Sequence, residues 1–150
     1  MKGRKEMFTI YDSFGFLFTK AYNQIKDRLV PFLNEIGLTE KQMGTLLIIS
    51  TNEGITQRKT GHLQQVDRTS MTQIIDVLEN KEYAIRKKIP NDRRAYGLFL
   101  TNKGKLLIEQ IRNEIQRIQD DYFKDISPSE IEILQKILIM VTTDDSQVDD

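Results

Sequence analysis

Only once along this chain does a helical repeat of apolar residues give way to strand-like alternation. From Tyr83 to Leu100, two short stretches rich in β-formers, YAIRKKI and YGLFL, flank the turn-forming PNDRRA. In the second stretch Tyr96, Leu98 and Leu100 share one side, as a period of two requires. A lone hairpin has no core of its own, so it must lie against helices. The expected class is therefore mainly α with a small β-hairpin. The tip gathers Arg86, Lys87, Lys88, Arg93 and Arg94 around Pro90 and Asp92. A disordered linker would carry those cations but not the alternation behind them, so a folded element presents the charge.

On either side the period is helical. Tyr11, Phe14, Phe18, Ala21, Ile25 and Leu29 form one face of a long first helix, which Pro31 is expected to bend or end. Thr39 with Gln42 forms a capping box for a second helix carrying Met43, Leu46, Leu47 and Ser50, ending near TNEG at 51–54. Thr56 caps a short helix from Gln57, and Asp67 caps another. In the latter, Met71, Ile74, Ile75 and Leu78 make the apolar face, while Arg68, Thr69, Thr72, Gln73 and Asp76 look the other way. Two short helices so close together suggest a helix-turn-helix. A long helix resumes after Thr101 through Leu107, Ile111, Ile115, Ile118 and Tyr122. Ser127, Pro128 and Glu130 then start a last helix bearing Ile131, Leu134, Ile137, Leu138 and Val141. First and last helices this apolar need a partner surface, and a homodimer is expected.

With 150 residues, 39% hydrophobic and 29% charged, the chain is long enough for one globular domain and short for two. It has no cysteine, which removes disulfides and thiol sensing and fits a reducing cytoplasm. The basic N-terminus lacks the run of about 7 to 15 apolar residues that a secretory signal needs, so export is not expected. No apolar run approaches the roughly 20 residues of a membrane helix. Basic and acidic residues balance at 22 each, yet from Gln57 to Arg94 nine cations face five acids, a local surface suited to a polyanion. His62 is the sole histidine, so a histidine-cluster metal site is not available within one chain. No phosphate loop, nucleophile elbow or His-Glu-x-x-His pattern occurs, and neither an enzyme nor a cofactor is expected.

Asp92-x-Arg94, five residues, then Leu100-Thr101-x-x-Gly104 is similar to the wing motif D-x-R-x5-L-T-x-x-G of the MarR family of bacterial winged-helix transcription regulators. TSMTQIIDVLE resembles that family's recognition helix, and GLTEKQ resembles its entry to the second helix. The likeness covers nearly the whole chain. It implies a layout of dimerisation helices at 1–36 and 102–143, a winged helix-turn-helix lobe at 37–101, and an acidic tail at 144–150. It also implies a dimer placing two recognition helices in successive major grooves of a pseudo-palindromic operator in double-stranded DNA. Many relatives bind a small aromatic molecule beside the dimerisation helices. Tyr11, Phe14, Phe18 and Met43 could line such a cleft here, although an aromatic stripe at this spacing is more often plain core, and the ligand site is left unassigned.

Within that frame, Arg68, Thr69, Ser70, Thr72 and Gln73 are offered to base edges. Arg68 suits guanine, Gln73 adenine, and Thr69 a thymine methyl. Arg86, Lys87, Lys88 and Arg93 would meet phosphate. By the resemblance Arg94 or its neighbour at the wing tip would enter the minor groove, the arginine fork held by Asp92. The sequence also departs from the family. Thr60 and Gln64 stand where leucines are usual, Gln65 where the turn favours glycine, and Glu82 where glycine usually ends the recognition helix. These four residues support a second reading: a winged-helix protein-interaction module that does not read DNA.

Overall fold

Side-chain caps set the helix starts. In the computed structural model, which describes residues 7–90 and 96–143, a 3-10 turn at Ile10–Asp12 leads into α1 (Phe14–Ile36), followed by α2 (Glu40–Thr51), β1 (Ile55–Thr56), α3 (Gln57–Gln64) and α4 (Arg68–Asn80). Strands β2 (Ala84–Lys88) and β3 (Tyr96–Leu100) and helices α5 (Asn102–Tyr122) and α6 (Pro128–Thr142) complete the order. Ser13, Thr39, Thr56, Asp67, Thr101 and Ser127 each accept a backbone N–H of the helix they precede. A cap of this kind contributes about 1 kcal/mol. At α6 the Ser127 hydroxyl, and then its backbone N–H, hold the Glu130 carboxyl below the usual carboxylate range.

Two features of the first helix differ from expectation. Tyr11 lies in the 3-10 turn ahead of the Ser13 cap, not on α1. Nor does Pro31 end α1, which runs through it to Ile36. Proline removes one helical hydrogen bond, but Pro31 is on the exposed side, where solvent can satisfy the carbonyl left without its donor. Beyond it, buried Leu33 and partly buried Phe32 and Ile36 hold the last turn on the core. Gly37, at φ 69°, then closes the helix with its N–H on the Leu33 carbonyl.

The sheet has three strands rather than the two expected, in the order β1-β3-β2, all antiparallel. Ala84 faces Leu100 and Lys88 faces Tyr96, while Ile55 and Thr56 pair with Leu98 and Gly97. The added strand depends on Gly97, where a Cβ would stand 2.8 Å from the Gly54 carbonyl oxygen.

Leu46 and Ile49 of α2, Met71, Ile75 and Leu78 of α4, Leu98 of β3 and Ile111 of α5 are fully buried. Each such side chain contributes roughly 1.5–3 kcal/mol. Helix α1 packs on α5, where Arg28 pairs with Asp121 and the Tyr122 hydroxyl donates to Gln24. Helix α6 differs from all of these: none of its residues is buried.

Candidate nucleic-acid interface

The four departures in the helix-turn-helix all find local solutions. Thr60 is fully buried and donates its hydroxyl to the Thr56 carbonyl at 2.9 Å. The Gln64 amide donates to the Thr45 hydroxyl, which donates to the Lys41 carbonyl at 2.8 Å, while the Lys41 ammonium returns to the Gln64 carbonyl at 3.2 Å. A polar ring thus joins α2 to α3 through Gln64. Gln65 takes the left-handed conformation itself, at φ 54° and ψ 44°. Glu82 does the same at φ 63°, with Tyr83 N–H on the Leu78 carbonyl and Glu82 N–H on that of Glu79, the pairing that glycine usually closes. A left-handed non-glycine residue costs about 1–2 kcal/mol. The fold accepts that cost twice. Between the helices, a Cβ on Gly61 would stand 3.0 Å from the Val66 carbonyl oxygen, so a small residue is required there.

With Met71, Ile75 and Leu78 turned into the core, α4 presents Arg68, Thr69, Ser70 and Gln73 to solvent. Thr72 is only half-buried, and its hydroxyl is occupied: it donates to the Arg68 carbonyl at 3.0 Å and accepts from the Gln57 amide at 2.7 Å. No donor remains on it for a base. Gln57, which the sequence marks only as the start of α3, therefore belongs to this surface.

On β2 the cations part company. Lys87 and Lys88 are exposed, the former with its ammonium 5.5 Å from the centre of the Phe99 ring. Arg86 is turned onto α4. One end of its guanidinium donates to Glu79 at 2.8 Å, the other to Asp76 at 3.0 Å, with a longer contact of 3.4 Å to the Gln57 carbonyl oxygen. Lys81, counted among the local cations, donates to the Gly37 carbonyl at the end of α1. Asp92, Arg93 and Arg94 lie outside the described residues. His62 is exposed.

The rest of the wing motif has a geometric reason. The Thr101 hydroxyl donates to the Glu82 carbonyl and accepts from Gly104 N–H, while Thr101 N–H bonds the Tyr83 carbonyl at 3.1 Å. A Cβ on Gly104 would fall 2.0 Å from that same Tyr83 oxygen. Strand, turn and the first turn of α5 are thus fastened at one point.

A three-stranded wing packed beside a capped two-helix reading unit defines the winged helix-turn-helix class. The MarR family model matches residues 38–96. A putative transcriptional regulatory protein for the hcr operon of Thauera aromatica is 30% identical over 111 residues, covering 74% of this chain and 67% of that protein. The crystal structure of MarR matches at a TM-score of 0.70 with 25% identity, over 83% of this chain and 91% of that one. The repressor CouR, bound to a 23-mer DNA duplex, matches in fold at a TM-score of 0.79 with 20% identity, over 94% of this chain and all of that one. The chain belongs to the MarR family and is a transcription regulator, not an enzyme. Among the described residues, no helix is long and apolar enough to cross a membrane, and no group of three or more His, Cys, Asp or Glu could hold a metal ion.

Proposed function

We propose that the protein is a cytoplasmic, homodimeric repressor that binds a pseudo-palindromic operator in double-stranded DNA. The observation that carries this reading is the exposed row Arg68, Thr69, Ser70 and Gln73 on α4, beside Lys87 and Lys88 on the wing strand. Base edges would be read by Arg68, Thr69 and Gln73, with Ser70 alongside and Thr72 contributing its methyl group. Lys87 and Lys88 would bind phosphate. Asp92, Arg93 and Arg94 are assigned to the wing tip by the family motif alone. CouR, a transcriptional repressor bound to a 23-mer DNA duplex, supports the same mode.

Dimerisation is supported by apolar surface that the described residues leave exposed. Phe14 is 74% exposed on α1, as are Met140 (65%) and Val141 (67%) on α6. A small aromatic effector is proposed from the resemblance only. Met43 is buried while Tyr11, Phe14 and Phe18 are exposed, so these four do not share one enclosed cleft within a protomer. The interaction-module reading loses its footing, because Thr60, Gln64, Gln65 and Glu82 are all accommodated without loss of the lobe.

The test is fluorescence anisotropy with the duplex that the protein selects from a random pool, against a scrambled duplex, over several salt concentrations. Preference for the selected duplex by 10³-fold or thereabouts is expected, with affinity falling steeply as salt rises. Equal affinity for both duplexes would remove sequence-specific recognition.

A further inference from the structure

Arg86 lies at the root of a basic wing, yet its guanidinium is engaged by Asp76 and Glu79 of the same chain. We propose that Arg86 and Gln57 are positioning residues for base readout, bracing the wing against the recognition helix, and that Arg86 is not a phosphate ligand. The proposal rests on the DNA-binding reading above.

The brace runs through three elements. From β2, Arg86 reaches Asp76 and Glu79, one helical step apart on α4, and touches Gln57 at the start of α3. Gln57 passes its amide to the Thr72 hydroxyl, which bonds the carbonyl of Arg68 in the first turn of α4. Wing strand, supporting helix and reading helix are thus linked through side chains alone. A guanidinium suits this place because its rigid fork can serve two carboxylates at once, which an ammonium cannot do with the same geometry.

Charge points the same way. Arg86 sits between two carboxylates, so the group of three carries a net negative charge. Three of its contacts go to Glu79, Asp76 and Gln57, so a bidentate grip on phosphate would compete with bonds of 2.8 and 3.0 Å and leave the two acids less compensated beside the DNA backbone. Its side chain is 27% exposed, and Lys87 and Lys88 lie two and fewer residues further along the same strand, on its exposed part. Arg86 instead offsets half of the carboxylate charge on this side of α4, which lessens the repulsion of phosphate by Asp76 and Glu79 beside the reading residues.

The experiment measures the ratio of affinities for the pool-selected and scrambled duplexes, and the salt slope, for wild type, Arg86→Gln, Asp76→Asn with Glu79→Gln, and Lys88→Gln as the phosphate control. Arg86→Gln is expected to cut the ratio about tenfold, the size of one mismatched base pair, with the salt slope unchanged. The carboxylate pair variant is expected to cut the ratio likewise, even as loss of two negative charges raises binding to scrambled duplex. Lys88→Gln should weaken both duplexes alike and take about one from the slope. Arg86→Gln behaving like Lys88→Gln, or leaving ratio and slope both intact, overturns the proposal. So does a pair variant that binds both duplexes more tightly with the ratio unmoved. Should Arg86→Gln fail to fold by circular dichroism, the pair variant decides. A wild type that does not separate the two duplexes fails at the DNA reading itself, a result distinct from all of these.

Discussion

Helix α6 carries more apolar residues than helix α4, yet the two end in opposite circumstances. On α4, Met71, Ile75 and Leu78 are each at most 1% exposed. On α6, Ile137, Met140 and Val141 are half exposed or more, and nothing on the helix is buried. The reading lobe satisfies itself: its apolar face has a core to meet and its unusual polar residues have partners. The terminal arms do not. Stability of the lobe is therefore a property of one chain, whereas the arms leave apolar surface for the proposed dimer to cover.

That contrast can be broken most forcefully at the arms. Ile137→Glu together with Met140→Glu should abolish the dimer and lower operator affinity by about 10²–10⁴-fold, because two linked half-site contacts become one. Sedimentation and anisotropy on the same sample would check both, and a double variant that stays dimeric with unchanged affinity would place the interface elsewhere. The lobe should respond differently. Ile75→Ala is expected to cost about 2–5 kcal/mol in urea unfolding, without changing the mass of whatever remains folded.

Smaller changes sharpen the picture within the lobe. Gln65→Gly relieves a left-handed residue and should stabilise by about 1 kcal/mol, read as a rise in melting temperature. A fall would mean that the Gln65 side chain has work that its backbone does not reveal. Thr72→Val should be the mildest at the DNA level. Loss of the hydroxyl breaks its bonds with Arg68 and Gln57 and so loosens the proposed brace, which should lower preference by less than about 1 kcal/mol at any single base pair, spread over the site, whereas loss of a base-reading hydrogen bond would cost about 1–3 kcal/mol at one position. A position-specific loss of that larger size would return the hydroxyl to the list of readers.

Local signals carried most of the fold. Thr39, Thr56, Asp67, Thr101 and Ser127 all cap where their spacing to the following apolar run indicates, because a cap involves residues only two or three apart. Pro31 misleads because its effect depends on what holds the turn beyond it, and Leu33 meets a core that no local pattern describes. Strand β1 is two residues long and exists by virtue of Gly97 meeting Gly54 across 43 positions of sequence, a contact with no local trace. The reading face of α4 follows from its helical period. Arg86 does not, since a cation's partners at Asp76, Glu79 and Gln57 become visible only when β2 is laid against two helices. In sequence it is one more positive charge in a positive stretch.

The contact at Gly104 leaves no slack between the long helix and the wing. Even a methyl group there would collide with the Tyr83 oxygen, and Thr101 clasps the same junction from the other side. Since α5 also carries α1 on its flank, a twist of that arm has to be passed to the strands as a lever passes torque through a weld.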